Sequence, residues 1–492
     1  MNLRRIWICW WLSFVCGGGM AWGQNAVPAL TEKQDRVLRG LARDRFGGRW
    51  VDLTPAQLGE LRKRADGYLD LQRKWHLPWG QVASVRFADT NRSTIASYEA
   101  LDLGAAQTGY LLGALAIRFN VLRDARSQTE ISNVLNGVEL LLRSGPKPGY
   151  LPSFVGPADN AAYQAFYSKY GGPDPQRPGF GRLAFPSKDT NGTPLVWLVG
   201  GERDQYSALN FGLSLVRKGA RDPALRERAE RATLKILDRV IADGWRLDDG
   251  QGRTTFITQE LKTALLFAGA TVDSKKFLDA YKTNAVALLE QPAPSLIRFG
   301  NYAANLAHFA NFYLFSRSDP DDGRRLQFQR ILTQMWQTGE VDLNPFYAAF
   351  YEDAFLFEEP PNSSGAQSIL QGILYSFPPP PRRSLPPVPD PTMVRLTANG
   401  REWSRHALLL PERPVAPFQW MQSPHRFDGP IDPLLEHPGV DYLLPFWMGR
   451  DSAIIQPEDA LPASALGRRR GATNSGVTNL PTAPIVAPKL TP

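Results

Sequence analysis

The chain has 492 residues, a formal charge of +8 and 43% apolar residues, enough to bury a large core. Its 56 basic and 48 acidic residues are interspersed along amphipathic stretches, which describes a solvated surface and speaks against the concentrated basic face of a nucleic-acid binder. The two cysteines, Cys9 and Cys16, lie in the first segment.

That segment, residues 1–23, has a basic start (Arg4, Arg5), an apolar run and a small-residue cleavage pattern at Ala21-Trp22-Gly23. It has the form of a secretory signal peptide, with an apolar run too short to span a bilayer. Cleavage near Gln24 would remove both cysteines and lower the charge to +6, because Arg4 and Arg5 leave with it. No disulfide, cysteine nucleophile or thiolate metal site is then expected. Ser13-Phe14-Val15 before Cys16 does not suit a lipid anchor. The expected location is periplasmic or extracellular, with no stable membrane anchor.

From residue 31 the chain repeats one pattern, a nearly all-apolar helix followed by a charged amphipathic one. The pairs are 31–46 with 54–75, 98–124 with 127–143, 207–218 with 222–242, 258–270 with 274–289, 299–315 with 320–337, and 344–357 with 363–377. In the third pair Leu225, Ala229, Ala232 and Ile236 recur at helical spacing, Asp222-Pro223 supplies a cap and a first-turn proline, and Gly244 a stop. Short hairpins make the inner helices parallel, so they begin at one end. The expected fold is all-α with little strand: six αα-hairpins over 31–377 closing into an (α/α)6 ring. Residues 378–392, rich in proline, form a strap. Residues 393–460 form an extension packed on the ring, with short strands at 393–396 and 407–410, and 461–492 a disordered tail.

The inner helices open with polar residues: Asp102; Glu202, Arg203 and Asp204; Gln259 and Glu260; Asn301, Tyr302 and Asn305; Asn344 and Tyr347. Each alone is a good helix cap, but on parallel helices the set converges on one mouth. Aromatic residues accompany them, among them Tyr98, Trp197, Tyr206, Trp245, Trp420 and Trp447. Flat rings beside carboxylates and amides are the chemistry of a saccharide cleft. Glycoside hydrolysis needs two carboxyl groups, and Asp204 and Asp102 are the candidates, with Glu202 and Glu260 in reserve. The five histidines show no metal-ligand spacing, His308 lies among apolar residues as a core histidine would, and no phosphate loop or nucleophile elbow occurs. No metal or cofactor is expected.

Tyr98-Glu99-Ala100-Leu101-Asp102 with Thr108-Gly109-Tyr110-Leu111 and Gly145-Pro146-Lys147-Pro148-Gly149-Tyr150, then Gly201-Glu202-Arg203-Asp204-Gln205-Tyr206, Asn344-Pro345-Phe346-Tyr347 and Pro445-Phe446-Trp447-Met448-Gly449-Arg450, resemble blocks of the bacterial exported six-hairpin glycosidase-like superfamily. The resemblance covers residues 98–450 and implies an (α/α)6 toroid shared by glycoside hydrolases, polysaccharide lyases and epimerases. This chain departs from the pattern at Gly201-Glu202 and at Asn301-Tyr302-Ala303-Ala304-Asn305. The expected function is an exported glycoside hydrolase on a polysaccharide or oligosaccharide. Asp204 and Asp102 would be catalytic, with Arg203, Tyr206, Trp245, Asn301, Tyr302, Asn305 and Tyr347 binding substrate. The alternatives are a uronate lyase, with Tyr206 or Tyr302 as base, and a non-catalytic glycan-binding protein.

Overall fold

A computed structural model describes residues 53–458, apart from 169–183, 249–253, 356–362, 388–394 and 399–400 and positions 190, 428 and 430. The leader, the helix expected at 31–46 and the tail lie outside the described residues. What is described is mostly helical, with four small sheets.

Helix α1 (Pro55–Leu71) starts with a capping box between Thr54 and Gln57 and buries Leu58, Leu61, Ala65 and Tyr68. Strands β1 (Ser84–Phe87) and β2 (Ile95–Glu99) form a hairpin. Ala100, at φ 55°, then turns the chain through Leu101–Leu103 into α2 (Gly104–Leu122). The helix expected from residue 98 begins only at Gly104, because Ser97 and Tyr98 pair with Arg86 and Val85 across the hairpin.

There follow α3 (Ala125–Ser144), β3 (Phe154–Pro157), α4 (Ala161–Tyr167), β4 (Ala184–Lys188), β5 (Pro194–Leu198), α5 (Arg203–Gly219), α6 (Pro223–Ala242), β6 (Arg246–Asp248) and β7 (Thr254–Phe256). Next come α7 (Gln259–Val272), α8 (Ser274–Leu289), α9 (Ala303–Ser318), α10 (Asp322–Gly339), α11 (Pro345–Ala354) and α12 (Ser363–Ser376). The chain continues through β8 (Arg382–Ser384), β9 (Arg395–Ala398), β10 (Arg401–Ser404), β11 (Asp432–His437) and α13 (Val440–Asp451).

Six of these helices, α2, α5, α7, α9, α11 and α13, are buried over most of their residues. Each packs against an amphipathic partner: α2 with α3, α5 with α6, α7 with α8, α9 with α10, α11 with α12, and α13 with α1. Among themselves α2 packs on α5, α5 on α7, α7 on α9, α9 on α11, α11 on α13, and α13 on α2. The last pair differs from the expected one. Residues 440–451, expected in a peripheral extension, supply a buried helix between α11 and α2, and their amphipathic partner α1 comes from the other end of the described chain.

The buried helices run parallel, start beside start and end beside end. Gln205 reaches the Asp102 carbonyl at 2.8 Å while Gly219 approaches Asn120; Ser207 meets Asn311 at 3.2 Å while Lys218 meets Ser318 at 3.1 Å. Tyr302 meets Asp342 at 3.1 Å and Tyr313 meets Asp353 at 2.6 Å. The sheets precede the helix starts. In the order β2-β1-β11-β8 and β3-β5-β4, β2 leads into α2, β11 into α13 and β5 into α5, while β7 of the β6-β7 hairpin leads into α7. Part of the proline-rich strap is thus a sheet edge, where β8 pairs with β11 and buried Arg382 forms an ion pair with Asp441.

Helices α2 and α5 touch backbone to backbone. A Cβ on Gly109 would collide with the Ala208 carbonyl, and one on Gly212 with the Gly109 carbonyl. Gly59, inside α1, faces open space. Gly109→Ala is expected to lower unfolding stability by about 1–3 kcal/mol through overpacking, whereas Gly59→Ala should raise it by up to about 1 kcal/mol through helix propensity. Urea denaturation of both variants checks this; equal effects would refute the close crossing.

Candidate functional site

Where α2 and α5 begin side by side, three carboxyl groups gather. Asp102 sits in the turn before α2, Glu202 at the extended residue before α5, and Asp204 in the first turn of α5. The local sequence explains the turn at α5: Gly201 adopts φ 88°, and a Cβ on Gly200 would strike the Leu151 carbonyl, so the chain can swing sharply into the helix. Gln205, donating to the Asp102 carbonyl, ties the two openings together.

Asp204 is 7% exposed, and burial pushes its carboxyl up to about 6; its own N–H and that of Gln205 oppose the rise, and the Asp102 charge adds to it. Glu202 is raised well above the usual carboxylate range by burial, then by Asp204 and Asp102. Asp102 is raised by burial and by Glu99, against hydrogen bonds from its own N–H and that of Leu103. Like charges this close cannot all ionise, so the cluster holds protons at pH values where an ordinary carboxyl has lost them. It does not form a metal-binding group among the described residues.

Buried polar atoms without partners occur in the first turns of both helices. Gln107, one turn into α2, is fully buried, and neither its amide oxygen nor its amide nitrogen has a hydrogen-bond partner; the Tyr110 hydroxyl and the Gln205 amide oxygen are likewise buried and unpartnered. Tyr110 is near enough to feel the Asp204 charge, which adds to burial in raising its hydroxyl. Unsatisfied buried groups cost about 1–3 kcal/mol each, a cost repaid when a polar ligand or water meets them.

A second acid–base pair stands on the neighbouring helices. Glu260, in the first turn of α7 (Thr258 caps it), is hydrogen-bonded to His308 Nδ1 on α9, with side chains 11% and 17% exposed. One turn further along α9, Asn311 donates to Ser207 of α5, tying these two helices together. His308 therefore differs from the core histidine expected from its apolar neighbours. Its helix faces Glu260 at matching depth, a juxtaposition that parallel inner helices imply but that neither local sequence contains.

The other expected residues take different places. Arg203 is exposed and donates both Nε and Nη2 to the Phe256 carbonyl, at 3.1 and 2.7 Å. Trp245, at φ 62°, closes the turn after α6 with Lys262 Nζ 4.9 Å from its ring. Tyr206 is 2% exposed, inside the core. Asn301 is exposed. Asn305 is fully buried and its amide holds the backbone of Ile297 at 2.7 and 2.8 Å, so it pins a loop. Tyr302 donates to Asp342, and Tyr347 stacks on Phe309 at 4.1 Å; both are buried.

Their burial has an identifiable cause. The segment between β10 and β11 lies across the starts of α9 and α11. Phe418 packs on Tyr110 at 5.4 Å and Phe346 at 5.3 Å, the Trp420 carbonyl accepts from Asn344, Ser423 donates to the Arg298 carbonyl, and Arg413 to that of Asp342. This half of the expected mouth is covered, whereas Asp102, Glu202 and His308 keep partial exposure.

The raised Asp204 carboxyl has a consequence for stability. Its folded value of about 6 lies above the unfolded value of about 3.9, so the folded state binds the extra proton and native stability rises as pH falls from 6 to 4. Asp204→Asn, which removes the buried charge, should therefore be more stable than the native protein at pH 7.5, by about 3 kcal/mol, with the gain vanishing near pH 4. Denaturant titrations at the two pH values check this; a gain independent of pH would contradict it.

No protein-family profile matches the chain, and no curated protein matches it. The crystal structure of the GH family 9 endoglucanase J30 is similar over 65% of this chain and 63% of its own, at 12% identity and a TM-score of 0.34. This chain spans less than two thirds of that enzyme's length, and a likeness this loose leaves fold and chemistry to rest on the geometry above.

Proposed function

We propose that the six buried helices form the inner layer of an (α/α)6 toroid of the six-hairpin glycosidase type, and that its acidic mouth belongs to a glycoside hydrolase acting on a polysaccharide or oligosaccharide. The observation that carries this reading is the cluster of Asp102, Glu202 and Asp204 at adjoining helix starts, with buried polar atoms that lack partners in the first turns of both helices. A carboxyl held near 6 is suited to protonate a glycosidic oxygen, so Asp204 is the general acid. Asp102, half-buried, with two backbone N–H groups that oppose the rise burial imposes on its carboxyl, is the partner that activates water or attacks the anomeric carbon. A leader at 1–23 would deliver the protein to periplasmic or extracellular glycans.

The same geometry weighs against a uronate lyase. Tyr206 and Tyr302, the tyrosines that could serve as base, are 2% exposed, and burial raises both hydroxyls. An anionic sugar would also meet a cluster of carboxyls at the open half of the mouth. Among the described residues no helix is long and apolar enough to cross a membrane.

The test is release of reducing ends from a panel of plant and microbial glycans. Turnover should fall as pH rises through about 6, where Asp204 loses its proton. Asp204→Asn should lower kcat by about a hundred- to ten-thousand-fold, the usual worth of a general acid, while the circular dichroism spectrum stays native. Native activity in that variant would overturn the assignment, and binding without products across the panel would make the protein a glycan-binding one.

A further inference from the structure

Phe256, the last residue of β7, is 62% exposed, the most of any large apolar side chain among the described residues. A single bare ring on a surface is ordinary. This one differs in how it is held. Arg203, the first residue of α5 and the neighbour of Glu202 and Asp204, grips the Phe256 carbonyl with two N–H groups. β7 pairs with β6, setting Phe256 opposite Arg246, whose guanidinium lies 4.4 Å from the ring centroid. The ring is thus fixed on its backbone side by the helix that carries the general acid, while most of its surface faces water.

We propose that Phe256 is a sugar-binding platform at the lip of the acidic mouth, on which a pyranose of the glycan chain lays its C–H face as the chain leaves the carboxyl cluster. The inference rests on the glycan reading of that cluster and extends it to the substrate class: a chain long enough to bridge the cluster and the lip. A phenyl ring has no hydrogen-bonding atom, so it rewards contact with the flat C–H face of a sugar without selecting a hydroxyl pattern, while Arg246 beside it offers N–H donors to the hydroxyls at the rim. Arg203 on its backbone and Arg246 against the ring restrict the side chain before a ligand arrives, which lowers the entropic cost of forming the contact.

The experiment compares the native protein, Phe256→Ala and Phe256→Trp against linear gluco-, xylo- and manno-oligosaccharides of two to six units, by calorimetry and by reducing-end release. An aromatic contact of this kind contributes about 0.5–1.5 kcal/mol, or roughly two- to tenfold in affinity. Phe256→Ala should weaken binding of the longer oligosaccharides by that factor, leave the shortest unchanged, and keep the native melting temperature because the ring is exposed. Phe256→Trp should restore or exceed native affinity. If Phe256→Ala matches the native protein at every length, or loses equally at every length, the platform is refuted while the hydrolase reading stands. If the native protein binds none of the oligosaccharides, both readings fall.

Discussion

The site depends on the contact between α2 and α5. These helices meet without side chains between them at Gly109, Ala208 and Gly212, so their axes approach as closely as backbones permit. That approach sets Asp102 beside Asp204 and lets Gln205 span the two openings. Any side chain at the crossing would push the helix starts apart, and the mutual repulsion that raises the carboxyls would fall with distance. A stability-neutral route to the same fold, with alanines and a wider crossing, would lose the electrostatics.

Two kinds of buried polar arrangement share the molecule, and their contrast locates function. On the C-terminal side Arg382 pairs with Asp441 and Gln419, as Asp353 does with Tyr313 and Arg317, and Asp342 with Tyr302 and Arg298. These networks pair opposite charges and hold segments distant in sequence together. At the starts of α2 and α5 the charges are alike, and buried polar groups in the first turns lack partners. A polar cluster arranged for stability would neutralise itself; in this one like charges raise one another's carboxyls.

Five of the six expected helix pairs were legible because each carries its own local signals. The stretch expected at 222–242 is α6, Pro223–Ala242, capped by Asp222, and the stretch at 274–289 is α8. Boundaries failed where distant pairing outweighed local pattern. Tyr98 lies in a strand because β1 sits between β2 and β11, and β11 lies more than three hundred residues downstream. Asp102 and Asp204 were readable as polar helix openings, but the repulsion that includes Glu202, the hydrogen bond of Glu260 with His308 and the bare ring of Phe256 arise between helices or hairpins and leave no mark in either local sequence. The binding roles expected of Tyr302, Asn305 and Tyr347 presumed an open mouth, and the segment carrying Phe418 and Trp420 covers that half.

The pairing of α13 with α1 and its place against α2 make the order of synthesis matter. Trp447 of α13 lies against Arg62 of α1 and Arg118 of α2, residues made more than three hundred positions earlier. Among the described residues, the apolar flank of α2 that α13 covers gains that neighbour only once residue 451 has emerged. The molecule therefore has high contact order despite being mostly helical, and it completes its core late rather than hairpin by hairpin. Closure of this flank of the core therefore waits on α13.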